Sequence, residues 1–331
     1  MKTLVTGGGG FLGRYIVEQL LARGDEVVVF ARGAYPDLEH MGATLFRGDL
    51  QDTSAVGRAM AGMEAVFHVA AKAGYWGTWQ SFFGPNVVGT QNVIAACRRH
   101  GVPKLIYTST PSVVASSRDR AGDDESLPYP THFESYYAHT KSLAEQLVRQ
   151  ANGSDLLTVS LRPHIVFGPR DTQILPRLVA RARAGKLIRI GDGTNKVDVT
   201  YVSDAARGHL LAAAALEPGA AVAGSVYFIS QDEPVSLWPW VNALLEQLGV
   251  PPVTKSIPLP AARAIGGVLE TVYTTLKLKG EPRLTRFLAG ELALNHYYDI
   301  ARAKQDLNYR PQFSMAEAVA RTVEYFRHQG L

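Results

Sequence analysis

Only one cysteine, Cys97, occurs among the 331 residues, which excludes a disulfide within the chain, and no Cys/His cluster has the spacing of a zinc site. The expectation is therefore a reducing, cytoplasmic setting and no metal. Cys97 falls in a helical pattern with Val93 and Ala96 and reads as a buried structural residue. Charge of one sign is scarce too: the net charge is +4 with the basic residues dispersed, so nothing marks a nucleic-acid-binding face. Long apolar runs are also missing. The most apolar stretch, Ile257 to Leu278, contains Arg263 and Glu270 and is entered through Pro258 and Pro260, so it does not read as a transmembrane span. It predicts instead a helix over a substrate cavity, with shallow, peripheral membrane contact as the sharper alternative. No signal peptide is expected, because the N-terminus already reads as the first strand of the fold.

With 46% hydrophobic and 19% charged residues, the chain can bury a large core. Its first half alternates strand patterns (2–6, 26–30, 43–47, 64–69, 103–109, 156–162) with helical ones (11–23, 52–61, 86–100, 135–151). That alternation predicts an α/β fold with a doubly wound parallel sheet. Val27-Val28-Val29-Phe30 and Leu105-Ile106-Tyr107 are apolar on consecutive residues, as strands covered on both faces must be. After residue 163 the regularity weakens. The expected division is a Rossmann-type dinucleotide-binding core over 1–164, with returns to the sheet near 190–230 (197–202 and 225–229), and a smaller, mostly helical substrate lobe over 165–190 and 231–331.

The most informative segment is Lys2 to Gly13, in which an apolar strand runs into Gly7, Gly10 and Gly13 spaced G-x-x-G-x-x-G before Ile16, Val17, Leu20 and Leu21 continue at helical spacing. Glycines let the backbone turn tightly and approach a pyrophosphate. The free N–H groups at the helix start, around Phe11 and Leu12, then face the phosphates with the helix dipole behind them. A second cluster, Tyr137-Ala138-His139-Thr140-Lys141, puts Tyr137 and Lys141 one helical turn apart. A nearby ammonium stabilises a phenolate, so this pair suits proton transfer in a hydroxyl–carbonyl interconversion. Tyr136 lacks such a partner, since its i+4 residue is Thr140. At the end of the fifth strand, Ser109, Thr110 and Ser112 offer hydroxyls where open α/β sheets place their ligands. The second strand ends Phe30-Ala31-Arg32-Gly33, without the carboxylate that would bond an adenosine ribose 2′-hydroxyl. Arg32, assisted by Arg14, would grip a 2′-phosphate, which predicts NADP(H) in preference to NAD(H).

Taken together, Thr6-Gly7-x-x-Gly10-x-x-Gly13, Gly48-Asp49-Leu50, His68-Val69-Ala70-Ala71, Asn86-Val87-x-Gly89-Thr90, Tyr137-x-x-x-Lys141, Arg162-Pro163-x-x-Val166-Phe167-Gly168-Pro169 and Asp198-Val199-Thr200-Tyr201-Val202 resemble the extended short-chain dehydrogenase/reductase superfamily over nearly the whole chain. The resemblance implies that Tyr137 is the general acid/base and that Lys141 holds the nicotinamide ribose and lowers the tyrosine pKa. It implies that Thr110 is the catalytic hydroxyl, with Ser109 and Ser112 as substitutes. Asp49 and Leu50 would border the adenine, Ala70 and Ala71 the ribose and pyrophosphate, and Pro163 the nicotinamide.

Nucleotide-sugar dehydratases of this kind carry an Asp-Glu pair after the catalytic threonine. Here those places hold Pro111 and Ser112, and the missing second-strand carboxylate weakens an epimerase reading. Closer resemblance is to the branch that groups 3β-hydroxysteroid dehydrogenases with reductases of 2-alkyl-3-oxoalkanoic acids in bacterial olefin biosynthesis. It is carried by Ala70 to Gly77, Leu105 to Val113, Leu175-Pro176-Arg177-Leu178 and Pro282-x-Leu284-Thr285-Arg286-Phe287. The implied activity is reversible NADP(H)-dependent reduction of the 3-keto group of such an acid. A steroid or another hydrophobic ketone is the alternative substrate, and a non-catalytic cofactor-binding scaffold the alternative class. Aromatic residues at 75, 76, 79, 82 and 83 are expected to line an apolar channel, and Lys72, Arg170 and Arg286 are candidate partners of a substrate carboxylate. A homodimer through helices 86–100 and 135–151, and a complex with other pathway enzymes, are family expectations.

Overall fold

A computed structural model describes residues 1–331. Seven parallel strands form the central sheet: β1 (Lys2–Thr6), β2 (Glu26–Ala31), β3 (Thr44–Arg47), β4 (Ala65–His68), β5 (Lys104–Thr108), β6 (Leu157–Pro163) and β7 (Val226–Ile229), in the spatial order 7-6-5-4-1-2-3. Alternation along the strands feeds two separate cores. Val27, Val29 and Ala31 of β2 and Ile106 of β5 pack on one face, and Val28 and Phe30 with Leu105 and Tyr107 on the other. Consecutive apolar residues are therefore needed, since neither face meets water. The strand order reverses between β1 and β4, and the crevice at the carboxyl ends there is where such sheets take ligands.

The flanking helices start where the sequence supplies caps. The Asp52 side chain accepts from the N–H groups of Ser54 and Ala55 at the head of Thr53–Ala59, and the Ser135 hydroxyl accepts from Ala138 N at the head of Tyr136–Ala151. Gly101, at φ +66°, closes the helix Gly89–His100. One turn before that helix, Gly84–Val88 is wound as a π-helix.

The second half departs from the expected returns. β7 joins the central sheet beside β6, but 197–202 does not: Lys196–Val197 lies in a separate four-stranded sheet with Val235–Ser236, His296–Tyr298 and Arg120–Asp123, and Thr200–Tyr201 pairs with Val166–Phe167. The place next to β6 is taken by β7, so the earlier run finds its partners in the lobe. A third apolar core, including Phe167, Tyr201, Trp238, Leu245 and Phe326, fills this half. The apolar stretch after Ile257 forms the helix Leu259–Thr275, which presses on Thr285 and Arg286 so closely that a Cβ at Gly266 would lie 2.7 Å from the Thr285 carbonyl carbon. No helix is long and apolar enough to cross a membrane.

Candidate active site

At the end of β1 the chain turns with Gly7 at φ +70°, its N–H donating to the Phe30 carbonyl and its own carbonyl accepting from Gly10. A Cβ at Gly7 would lie 2.8 Å from the Ala70 backbone, and one at Gly13 only 2.2 Å from the Gly7 carbonyl oxygen, so neither position admits a side chain. Helix Phe11–Ala22 begins there with neither a side-chain cap nor an acidic residue in its first turn. Uncapped N–H groups with no carboxylate nearby suit a bound pyrophosphate, and the cradle fits a dinucleotide. Its floor is held by a buried chain of hydrogen bonds. Thr90 Oγ1 donates to the Asn86 carbonyl, His68 Nε2 lies 3.0 Å from Thr90 Oγ1, His68 Nδ1 lies 2.7 Å from Thr6 Oγ1, and Thr6 Oγ1 accepts from Ala70 N. Burial, with Lys141 adding to it, pulls the His68 pKa down to about 3, so the ring is neutral and bridges two hydroxyls.

Arg32 is exposed at the end of β2 and makes no ion pair, whereas Arg14 is engaged by Glu18 and Asp37. Tyr35, which no motif singles out, lies across the turn: a Cβ at Gly9 would fall 2.1 Å from its Cζ. Asp49 accepts from Gln51 N at 2.8 Å, Leu50 and Pro163 are buried, and Ala71 is exposed.

The catalytic candidates converge at the carboxyl ends of β5 and β6. Tyr137 is half-buried. Burial raises its pKa, and the Thr110 hydroxyl works against that rise. Ser109 points the other way, with a buried hydroxyl that helps hold the Glu145 carboxyl low, so of the two neighbours Thr110 is the one that faces the tyrosine. Lys141 is buried, donates to the Thr108 carbonyl at 2.6 Å and sits 4.1 Å over the Tyr107 ring, and burial pulls its pKa down to about 7. The expected lowering of the tyrosine pKa by lysine does not appear here: burial dominates both groups, and Lys141 is not among the influences on Tyr137. One turn further along the helix, Glu145 pairs with Arg162 of β6 and accepts from the Tyr129 hydroxyl at 2.7 Å, fastening the helix that carries Tyr137 and Lys141 to the sheet.

A cavity of about 360 Å³ lies between Pro111, Ser112 and Ala138, chain neighbours of Thr110 and Tyr137, on one side and the lobe residues Glu291, Leu294 and His296 on the other. The aromatic loop does not line it. Trp79 packs on Phe83, Tyr136 and His139, Trp76 meets Tyr273, and Phe82 is buried near Tyr137. The three cations proposed for a carboxylate are occupied elsewhere: Arg170 by Glu18, Arg286 by Glu270, and Lys72 by Ser81 at 2.7 Å under the Phe82 ring. The cavity wall instead carries Arg120, His164, His296 and Glu291, and the ligating atoms of the last three lie within 4.8 Å of one another. His164 and His296 are 132 residues apart, a separation that no spacing rule reads.

The family model described as "3-beta hydroxysteroid dehydrogenase/isomerase family" matches residues 4–261. The chain is 50% identical to a 2-alkyl-3-oxoalkanoate reductase of Stenotrophomonas maltophilia over 97% of its own length and 98% of that protein. It is 38% identical to the decarboxylating sterol-4-alpha-carboxylate 3-dehydrogenase of Mus musculus, over 99% of its own length and 91% of the relative. Among solved structures, a double mutant of dTDP-glucose 4,6-dehydratase from Streptomyces venezuelae with NAD bound superposes with a TM-score of 0.76 at 26% identity, covering 99% of this chain and 97% of that one.

Proposed function

The chain belongs to the 3-beta hydroxysteroid dehydrogenase/isomerase family and is an NAD(P)-dependent oxidoreductase, and from that premise we propose that it reduces, reversibly, the 3-keto group of a 2-alkyl-3-oxoalkanoic acid, with NADP(H), on the way to olefinic hydrocarbons. The observation that carries this reading is Tyr137 facing Thr110, with their chain neighbours Pro111 and Ala138 lining a cavity. Gly7, Gly10 and Gly13 with Phe11, Leu12, Ala70 and Ala71 would hold the pyrophosphate and ribose, Asp49 and Leu50 the adenine, Pro163 the nicotinamide, and Lys141 the nicotinamide ribose. Unpaired Arg32 supports NADP(H), since a guanidinium free of carboxylates has its donors left for a phosphate. The bound dinucleotide supplies the hydride. Thr110 polarises the carbonyl oxygen, and the Tyr137 hydroxyl delivers the proton that completes the alcohol. A tyrosine whose pKa burial has raised stays protonated at neutral pH, which suits the reducing direction; oxidation needs the phenolate and should accelerate as pH rises.

The names of the two curated relatives share one pattern: a 3-oxo or 3-hydroxy carbon next to the carbon that bears a carboxylate. The sterol acid is therefore the second reading, and it meets the same residues. Tyr137→Phe is expected to lower kcat about 10³-fold while NADPH binding stays nearly unchanged, as measured by nicotinamide absorbance and equilibrium titration. Substantial residual turnover would remove Tyr137 from the acid/base role. Presenting NADPH and NADH in parallel, with a 2-alkyl-3-oxoalkanoic acid and with a 3-oxosteroid, separates cofactor from substrate.

A further inference from the structure

We infer that Arg120, His164 and His296 form the subsite for the substrate carboxylate, orienting the adjoining carbonyl toward Thr110 and Tyr137; this rests on the 3-oxo acid reading above. Arg120 and His296 are register partners on adjacent parallel strands, so their side chains leave the sheet on the same face, and both line the cavity. His164 joins them, its Nε2 lying 3.2 Å from His296 Nδ1.

The hydrogen-bond order follows from one end. His296 Nε2 lies 2.7 Å from the Glu291 carbonyl oxygen, which only accepts, so Nε2 carries a proton and a neutral His296 accepts at Nδ1. His164 Nε2 must then donate, leaving His164 Nδ1 as a buried lone pair with no partner, in a residue only 7% exposed. Burial, with His296 adding to it, holds its pKa well below the ordinary imidazole range, so the ring is neutral in the free site. Arg120 is equally unspent. Its Nε is buried without a partner, and the nearest carboxylate, Asp123, is 3.9 Å from Nη1. Buried polar atoms left open at a cavity wall, here a donor on Arg120 and a lone pair on His164, are costly unless a ligand or water meets them.

Glu291, within 4.8 Å of the imidazoles, and Glu134, which also lines the cavity, oppose a second anion. The charge of a carboxylate must therefore be met by the guanidinium, which makes Arg120 the decisive group. At about 30 Å³ per water, a 360 Å³ cavity holds roughly twelve. It thus takes the acid head and the branching carbons, and long alkyl chains must leave through its mouth.

The test uses the stable hydroxy acid. The full-length enzyme with NADP⁺ is given a 2-alkyl-3-hydroxyalkanoate or its methyl ester, for the wild type, Arg120→Met, Arg120→Lys and His296→Asn. The wild type should prefer the acid. Arg120→Met should raise the acid's KM about tenfold or more with little change in kcat and none in the ester's KM, Arg120→Lys should recover part of the loss, and His296→Asn should raise the acid's KM alone. Ester oxidation reports that each variant is folded. Equal KM for acid and ester in the wild type, or a rise in both with Arg120→Met, would overturn the subsite while leaving the reductase reading intact. A wild type that binds NADP(H) but oxidises neither compound would overturn that reading itself. Acid oxidation lost to EDTA and restored by Zn²⁺ would give the same atoms to a metal and also overturn the subsite.

Discussion

Glu145 in the dinucleotide half and Asp198 in the other are both buried carboxylates, and burial has opposite results for them. Burial works to raise both. At Glu145 the Arg162 guanidinium, Ser109 and Tyr129 outweigh it and hold the carboxyl below its ordinary range. Asp198 has only the Tyr298 N–H, at 2.7 Å, and the Ser230 hydroxyl, with Asp232 adding repulsion, and its pKa is pushed up to about 7. The lesson is that burial alone does not set a carboxylate's charge state; a partnering cation does. Glu145 has its countercharge in Arg162, whereas Asp198 has none, and the wall of the lobe cavity leaves Arg120 and His164 with open polar atoms.

The largest effect should come from Glu145→Gln, which strands Arg162 in the core and is expected to cost about 3–5 kcal/mol in chemical unfolding. An unchanged midpoint would mean that the two carboxylates do not differ as described. Because its folded pKa is depressed from 4.5, Glu145 contributes stability that is present above that pH and lost as pH falls through the folded value, so the variant should flatten the acid limb. Next comes Arg32, a guanidinium at the end of β2 that makes no ion pair. Arg32→Ala should weaken NADPH binding about tenfold in equilibrium titration and leave NADH unaffected. Equal loss for both cofactors would make Arg32 a general surface charge. The smallest change has the opposite sign. The native state keeps the Asp198 proton up to about pH 7, while the unfolded chain releases it near 3.8, so stability declines as pH climbs between those values. Asp198→Asn should remove that decline and stabilise the protein at pH 8 by about 1 kcal/mol, read from unfolding midpoints at pH 4 and 8. Destabilisation at pH 8 would erase the contrast with Glu145.

What was legible in the sequence was contiguous. Gly7, Gly10 and Gly13 sit within one turn, Tyr137 and Lys141 within one helical turn, and the strands of the first half declare themselves by consecutive apolar residues. The balance of effects on Tyr137 was not legible, because desolvation depends on what packs over a residue and not on its i+4 neighbour. Ser109 and Thr110 were indistinguishable for a different reason: successive residues at a strand end point to opposite faces, and the phase is fixed by packing alone. The run 197–202 has a strand pattern that fits any sheet, so its partners could not be named in advance. Arg120, His164, Glu291 and His296 come from four distant segments and share a wall only after the second sheet has formed.

That second sheet has a mechanical consequence. Strand Arg120–Asp123, which precedes the helix Tyr136–Ala151 in the chain, is zipped to His296–Tyr298 near the C-terminus, and β7, from the later part of the chain, closes the edge of the central sheet. The two halves are stitched through each other. Neither can melt while the other stays whole, so calorimetry should record one endotherm. A chain split near residue 165 should regain activity only when both fragments refold together.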